Sequence, residues 1–295
     1  MTAAIQAENL QKIYGNGRGV LGIDLDIREG EIFGFLGPNG AGKTTTIRSL
    51  LGLTRLTGGR ASIAGKDVVR ESLDVRRATG YLPGDPALYD NMTGRKHLEL
   101  ALSLRGIRDR RHALGIAERL EVELDRRIRQ LSRGNRQKVA ILLALAHDPA
   151  VLLLDEPTSG LDPLAQDAFR DLLQEEKRRG KTIFFSSHVL PEVEAISDRV
   201  GIIRDGRLVA VDSVEGLRQS RLKEVHLRYR GEKPDFTSMT GVRGIEVQAD
   251  SVRFRIAGGT GALWRLLAEY PPDDITITEP SLEEVFRAYY GGEPS

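Results

Sequence analysis

Ile23, Leu25 and Ile27 alternate with Asp24, Asp26 and Arg28, a period of two that predicts a strand with one face in a core and the other in water. A Glu29-Gly30 turn then leads into Glu31 to Leu36, an apolar strand that ends in a glycine cluster, and Thr44 to Leu53 reads as the helix that follows it. Between about Thr93 and Ala146 the apolar spacing becomes helical and strand formers thin out. Apolar strands return at Val151 to Leu154, Thr182 to Ser186 and Val200 to Ile203, with a helix over Pro163 to Arg179 between the first two. Apolar strands alternating with helices predict a mostly parallel α/β sheet. Ile202 to Val211, turning at Arg204-Asp205-Gly206, predicts a hairpin that closes this part.

Past about Ser220 the pattern changes again. Strands are expected over Val225 to Tyr229, Ile245 to Val247, Val252 to Ile256 and Ile275 to Thr278, and helices over Gly261 to Glu269 and Leu282 to Tyr290. The expected organisation is a domain over 1–220, with a helical subdomain over about 84–148, and a small α+β accessory domain over 221–295. A length of 295 residues agrees with about two domains.

Composition narrows the partners. At 40% hydrophobic and 29% charged the chain builds an ordinary globular core. Lys plus Arg total 43 against 42 Asp plus Glu, so a generalised cationic surface for nucleic acid is not supported. The local excess over Arg105 to Lys138, eleven bases against five acids, reads more readily as a solvated helical face than as a binding patch. Without cysteine there is neither a disulfide framework nor a thiolate metal site. No apolar run approaches the roughly 18 residues that span a bilayer, and the opening MTAAIQAENLQKIYG has acid and amide where an export signal has its apolar core. Any membrane role is therefore expected to be peripheral.

Two segments carry chemistry. Gly37, Pro38, Asn39, Gly40, Ala41, Gly42, Lys43 and Thr44, followed by Thr45, have the spacing of a phosphate-binding loop and stand between an apolar strand and a helix, as that loop must. Backbone N–H groups and the helix N-terminus would cradle β- and γ-phosphates, Lys43 would add a point charge, and the Thr44 hydroxyl would ligate Mg²⁺. In VLLLDEPTSGLD, Val151 to Asp162, four apolar residues deliver Asp155 to the C-terminal end of a buried strand, where open parallel sheets bind ligands. Asp155 is placed to hold Mg²⁺, and Glu156 to polarise an attacking water.

With LSRGN at Leu131 to Asn135 and Ser186-Ser187-His188, these motifs make the chain resemble the ATP-binding subunit of ATP-binding-cassette transporters, collinearly from about Ile5 to Ser220. The resemblance implies a P-loop NTPase (RecA-like) core that binds ATP and Mg²⁺, with Glu156 and the switch histidine His188 catalytic. Thr44 and Asp155 would be the metal ligands, and Tyr14 would stack on adenine. It also implies a homodimer in which Ser132 and Gly134 of one copy, with Asp162 in the D-loop, close over ATP held by the other. A transmembrane permease on the cytoplasmic face of the membrane would be the further partner.

Ser132 is expected to cap its helix as well. ITEPSLEEVFRAYY, Ile277 to Tyr290, resembles the C-terminal segment of drug- and antibiotic-export ATPases of the ABC-2 type, which implies export. The alternative, a soluble cassette protein acting on ribosomes or DNA, usually brings a second cassette, a long coiled coil or zinc-binding cysteines, and none is present in this sequence. A GTP-binding switch would need an Asn-Lys-x-Asp motif, also absent.

Two positions depart from the family pattern. YLPGD puts Gly84 where the family usually has a Gln that touches Mg²⁺ and the attacking water, so either Asp85 compensates or the loop is simply flexible, and with Glu156 and His188 present the expectation is weakened coupling geometry rather than loss of catalysis. In the signature, Arg133 replaces a glycine and Asn135 a Gln, leaving Arg133 to add charge near phosphate or to point into solvent.

Overall fold

In the computed structural model, which describes residues 3–15, 17–216, 222–231, 233–257 and 260–278, the apolar run 32–36 is β3 (Ile32–Leu36), buried along its whole length. It lies between β8 (Thr182–Ser187) and β9 (Arg199–Arg204) in a six-stranded sheet ordered β10-β9-β3-β8-β7-β6, where β6 is Thr79–Leu82, β7 is Val151–Asp155 and β10 is Arg207–Ser213. The pairs β9–β3, β3–β8, β8–β7 and β7–β6 are parallel. Strands buried on both faces need no polar alternation, which is why VLLLD and TIFF read as continuous apolar runs. β9 and β10 form the expected hairpin, turning through Asp205 and Gly206, both at positive φ as a two-residue turn of this hand requires.

A second sheet, not expected from the sequence, is antiparallel, ordered β2-β1-β4-β5, with β1 (Ala3–Ile13), β2 (Gly19–Arg28), β4 (Gly58–Ile63) and β5 (Lys66–Asp67). Its inward residues Ile5, Leu10, Ile23 and Ile27 share one core with Phe33, Phe35, Leu153 and Phe184 of the first sheet. Helix α1 (Lys43–Leu50) contributes Ile47 and Leu50 to that core. The helix stops three residues short of the expected Leu53 because Gly52, at φ 63, turns the chain out and donates its N–H to Ser49 O. Two short helices, α2 (Ser72–Ala78) and α7 (Leu190–Ile196), also went unread, being too brief to show a period.

Helices α3 (Gly94–Leu104), α4 (Arg111–Arg119) and α5 (Arg133–Leu145) fill the helical stretch. Five of the eleven bases in its basic run make ion pairs among the described residues: Arg110 with Glu99, Arg111 with Asp109, Arg119 with Glu175, Arg126 with Glu123 and Arg136 with Asp90. Helix α6 (Pro163–Arg178) opens on Pro163 and is capped by Asp162, whose Oδ1 accepts the Ala165 N–H at 2.9 Å. At the N-terminal ends of β7 and β8, Lys181 pairs with the carboxylates of Asp148 and Glu176, which Arg179 also meets.

The chain divides into two compact units, 1–211 and 212–295. Within the second, an antiparallel sheet ordered β12-β13-β11-β14 comprises β11 (Leu222–Arg228), β12 (Val242–Val247), β13 (Ser251–Ala257) and β14 (Asp274–Thr278). Val225, Leu227, Phe254 and Ile256 form its core with Leu263 and Leu267 of α8 (Gly261–Glu269). The helix expected over Leu282 to Tyr290, with all of ITEPSLEEVFRAYY beyond Thr278, lies outside the described residues.

Phe184 stacks on Phe33 at 5.9 Å and tilts against Phe35 at 5.1 Å, fully buried in the core shared by both sheets. Phe184→Ala is expected to destabilise the first unit by about 3–5 kcal/mol, read from its unfolding transition in denaturant. A cost below about 1 kcal/mol would contradict the shared core.

Candidate functional site

The strand register sets the site. Leu36 pairs with Ser187, Asp155 with Ser186 and Leu82 with Leu154, so the segments leaving the C-terminal ends of β3, β8, β7 and β6 emerge side by side. Those segments are the glycine loop, His188, Glu156 and Pro83-Gly84.

The loop is shaped by close approach. A Cβ on Gly37 would lie 2.4 Å from Ile203 O, so only glycine fits there, and Gly42 caps α1 at φ 112. Lys43 is buried: its Nζ donates to Gly37 O at 2.7 Å and Pro38 O at 3.2 Å and lies 3.1 Å from Glu156 Oε1. The Thr44 hydroxyl donates to Asp155 Oδ2 at 2.6 Å. Asp155 is 1% exposed, and its other oxygen accepts the Ser186 hydroxyl at 2.6 Å.

Glu156 has φ 49, a conformation uncommon for a residue with a side chain. Its N–H is held by the carbonyl of Ser186 at 3.2 Å and by the Ser186 hydroxyl at 3.1 Å. Turned this way, the side chain reaches Lys43 through one oxygen and His188 through the other, with His188 Nδ1 donating to Oε2 at 2.8 Å. His188 is half exposed, and the Ser187 hydroxyl beside it donates to Glu192 Oε2 at 2.7 Å, which anchors the start of α7. An ammonium, two carboxylates, an imidazole and a hydroxyl therefore converge around a glycine loop. Such a set holds polyphosphate and a hard cation and orients a water.

The other expected residues lie apart from this cluster in their hydrogen bonding. Ser132 caps α5, accepting the Asn135 N–H at 3.2 Å. The Asn135 amide donates to Glu123. Arg133 is exposed, its Nη2 donates to Ser159 Oγ at 3.0 Å, and its side chain lies over Gly160. One turn along, the buried Gln137 donates to Pro157 O at 2.8 Å. Tyr14 is exposed on the β1–β2 turn, with Lys12 Nζ 5.1 Å from its ring. Sequence reasoning quoted Ser186 beside His188 and Ser159 in the D-loop without giving either side chain a role, and passed over Gln137; the one signal for Ser186 itself was a hydroxyl pair closing the otherwise apolar strand TIFFSS.

At the fourth strand end, Gly84 is exposed and has no positive φ, and a Cβ there would make an ordinary contact 3.4 Å from Asp155 Oδ2. The glycine is thus not demanded by the backbone. Asp85 is exposed.

A mostly parallel sheet carrying a phosphate loop after β3, with an acidic pair at the end of β7 across the intervening β8, defines a P-loop NTPase. The family profile described as ABC transporter matches residues 20–159. Bacitracin transport ATP-binding protein BcrA of Bacillus licheniformis is 34% identical over 305 aligned residues, which cover 99% of each chain. Daunorubicin resistance ATP-binding protein DrrA2 of Streptomyces coeruleorubidus is 34% identical over 302, covering 96% of this chain and 94% of its own. Among solved structures, a dimeric ATP-binding cassette in a post-hydrolysis state bound to ADP and Pi matches with TM-score 0.66 and 26% identity, over 71% of this chain and 98% of the other. The chain belongs to the ABC transporter family, among its ATP-binding subunits.

Because the backbone at position 84 tolerates a side chain, Gly84→Ala is expected to keep stability within about 0.5 kcal/mol of the parent in denaturant unfolding. Gly84→Gln, which brings an amide to Asp155, is expected to raise the permease-free ATP turnover above that of the Ala variant. Equal rates in parent, Ala and Gln forms would remove position 84 from the chemistry.

Proposed function

We propose that this chain hydrolyses ATP to power export of an antibiotic or similar drug through a separate membrane permease, working as a homodimer on the cytoplasmic face of the membrane. The observation that carries the chemistry is the convergence of Lys43, Thr44, Asp155, Glu156 and His188 on the glycine loop through contacts of 2.6 to 3.1 Å. The export reading rests on similarity across almost the whole chain to a bacitracin transport protein and a daunorubicin resistance protein. Among the described residues no helix is long and apolar enough to cross a membrane, which fits a permease on another polypeptide.

In this reading the N–H groups of Gly40 to Thr45 and the N-terminus of α1 bind the β- and γ-phosphates, and Lys43 trades a loop carbonyl for phosphate oxygen. The residues fit a divalent cation, since Thr44 Oγ1 and Asp155 Oδ2 are hard oxygen donors side by side at the loop. Mg²⁺ held there would neutralise phosphate charge. Glu156 accepts the proton of the water that attacks the γ-phosphorus, while the bond from that phosphorus to the bridging oxygen breaks and ADP leaves with the electron pair. His188 holds the Glu156 carboxylate in plane through Oε2. Tyr14 stacks on adenine, and Ser132 and Gly134, with Asp162 nearby in the D-loop, close the site from a second copy.

Glu156→Gln is expected to keep ATP binding and slow hydrolysis by at least about a hundredfold, trapping an ATP-bound dimer visible by size exclusion. Near-normal turnover would remove Glu156 from the mechanism. Lys43→Ala is expected to weaken ATP binding by about tenfold or more, because charge-assisted hydrogen bonds to phosphate are lost. Unchanged affinity by calorimetry would contradict the loop assignment.

A further inference from the structure

The acidic pair is held by a residue to which the reading above gives no role. Ser186 is completely buried on β8, directly opposite Asp155 in the parallel register. A hydroxyl has one donor and two acceptor lone pairs. Here the donor goes to Asp155 Oδ1 at 2.6 Å, and a lone pair takes the Glu156 N–H at 3.1 Å. One atom therefore bonds both consecutive acidic residues, the first through its side chain and the second through its backbone.

Both bonds bear on geometry the chemistry needs. With Oδ1 held by Ser186, the Asp155 carboxylate keeps Oδ2 turned towards Thr44. Glu156 sits at φ 49, a strained conformation that persists only where surrounding contacts over-determine it. Relaxing that turn would swing its side chain away from Lys43 and His188.

We propose that Ser186 is a positioning residue of the ATPase site, its hydroxyl orienting the Asp155 carboxylate for a divalent cation while pinning the strained Glu156 backbone for its work on water. The proposal rests on the site assignment given above. Residues that orient metal ligands typically contribute about 10–100-fold in metal affinity or activity.

The test uses the full-length chain with Ser186→Ala, which deletes only the hydroxyl, and Ser186→Thr, which restores it. Two quantities are read. The first is the Mg²⁺ concentration that half-saturates binding of a fluorescent non-hydrolysable ATP analogue, which needs no turnover. The second is steady-state kcat and KM for ATP at saturating Mg²⁺. The Ala variant is expected to need about tenfold more Mg²⁺ and to lose about tenfold or more in kcat, with KM for ATP within about twofold. Thr is expected to recover most of both losses.

Parent-like Mg²⁺ dependence and kcat in the Ala variant would overturn the proposal. So would losses that Thr does not recover although circular dichroism shows both variants folded. Asp155→Asn and Glu156→Gln are run alongside. If these leave metal dependence and turnover unchanged, the site assignment falls and Ser186 with it, whereas losses there beside a parent-like Ser186→Ala overturn the role of Ser186 alone.

Discussion

A carboxylate at the end of a buried strand must find partners for both oxygens, because leaving water without them costs several kcal/mol. Asp155 is in that position at 1% exposure, and it is satisfied by two hydroxyls, Thr44 from the helix after β3 and Ser186 from β8. Those two bonds tie three chain segments that are remote in sequence to one atom group. The neighbouring parallel register supplies the alignment, and the glycine loop supplies the approach, since Gly37 lets the backbone pass within contact of Ile203. The loop, the acidic pair and the histidine are thus consequences of one packing arrangement.

The other end of the same strands shows the alternative. There, Asp148 and Glu176 are also partly or wholly removed from water, yet they are met by Lys181 and Arg179, and His112 joins them. Burial pushes the His112 pKa down, and the Lys181 charge pushes the same way. A carboxylate paired with an ammonium has its charge compensated within the fold, so that cluster fastens α6 to the strand ends. Asp155 is met instead by two hydroxyls, which satisfy its hydrogen bonding without neutralising its charge. At the glycine-loop end Glu156 also meets an ammonium, that of Lys43, so what sets Asp155 apart from the carboxylates at the opposite end is its pair of hydroxyl partners.

Much of this was legible in the sequence because the determining features are local. A phosphate loop is contiguous, and a buried strand announces itself as an apolar run, so β3, β7 and β8 and the residues at their ends could be placed from spacing alone. What escaped depends on pairing between remote segments. In the antiparallel sheet β2 shows its period of two, but β1 does not, because register shifts interrupt its pairing with β2 between Ala7 and Leu10. Ser186 was hidden for the same reason, since its meaning comes from lying opposite Asp155 across a strand pair 31 positions away in sequence.

The departures from the family pattern take on physical content once the loop after Glu156 is considered. Gln137 fastens Pro157, and Arg133 fastens Ser159, both from one face of α5, four residues apart. A glycine at 133 would leave the second tie unmade, and with it the arginine stem that covers Gly160. The signature helix is therefore tied at two points to the segment that runs from Glu156 to Asp162. At position 84 the glycine makes no side-chain tie to Asp155, although a Cβ there would lie 3.4 Å from Oδ2. The two departures thus differ in what they add: the arginine supplies a tie to the segment after the acidic pair, and the glycine supplies none to Asp155.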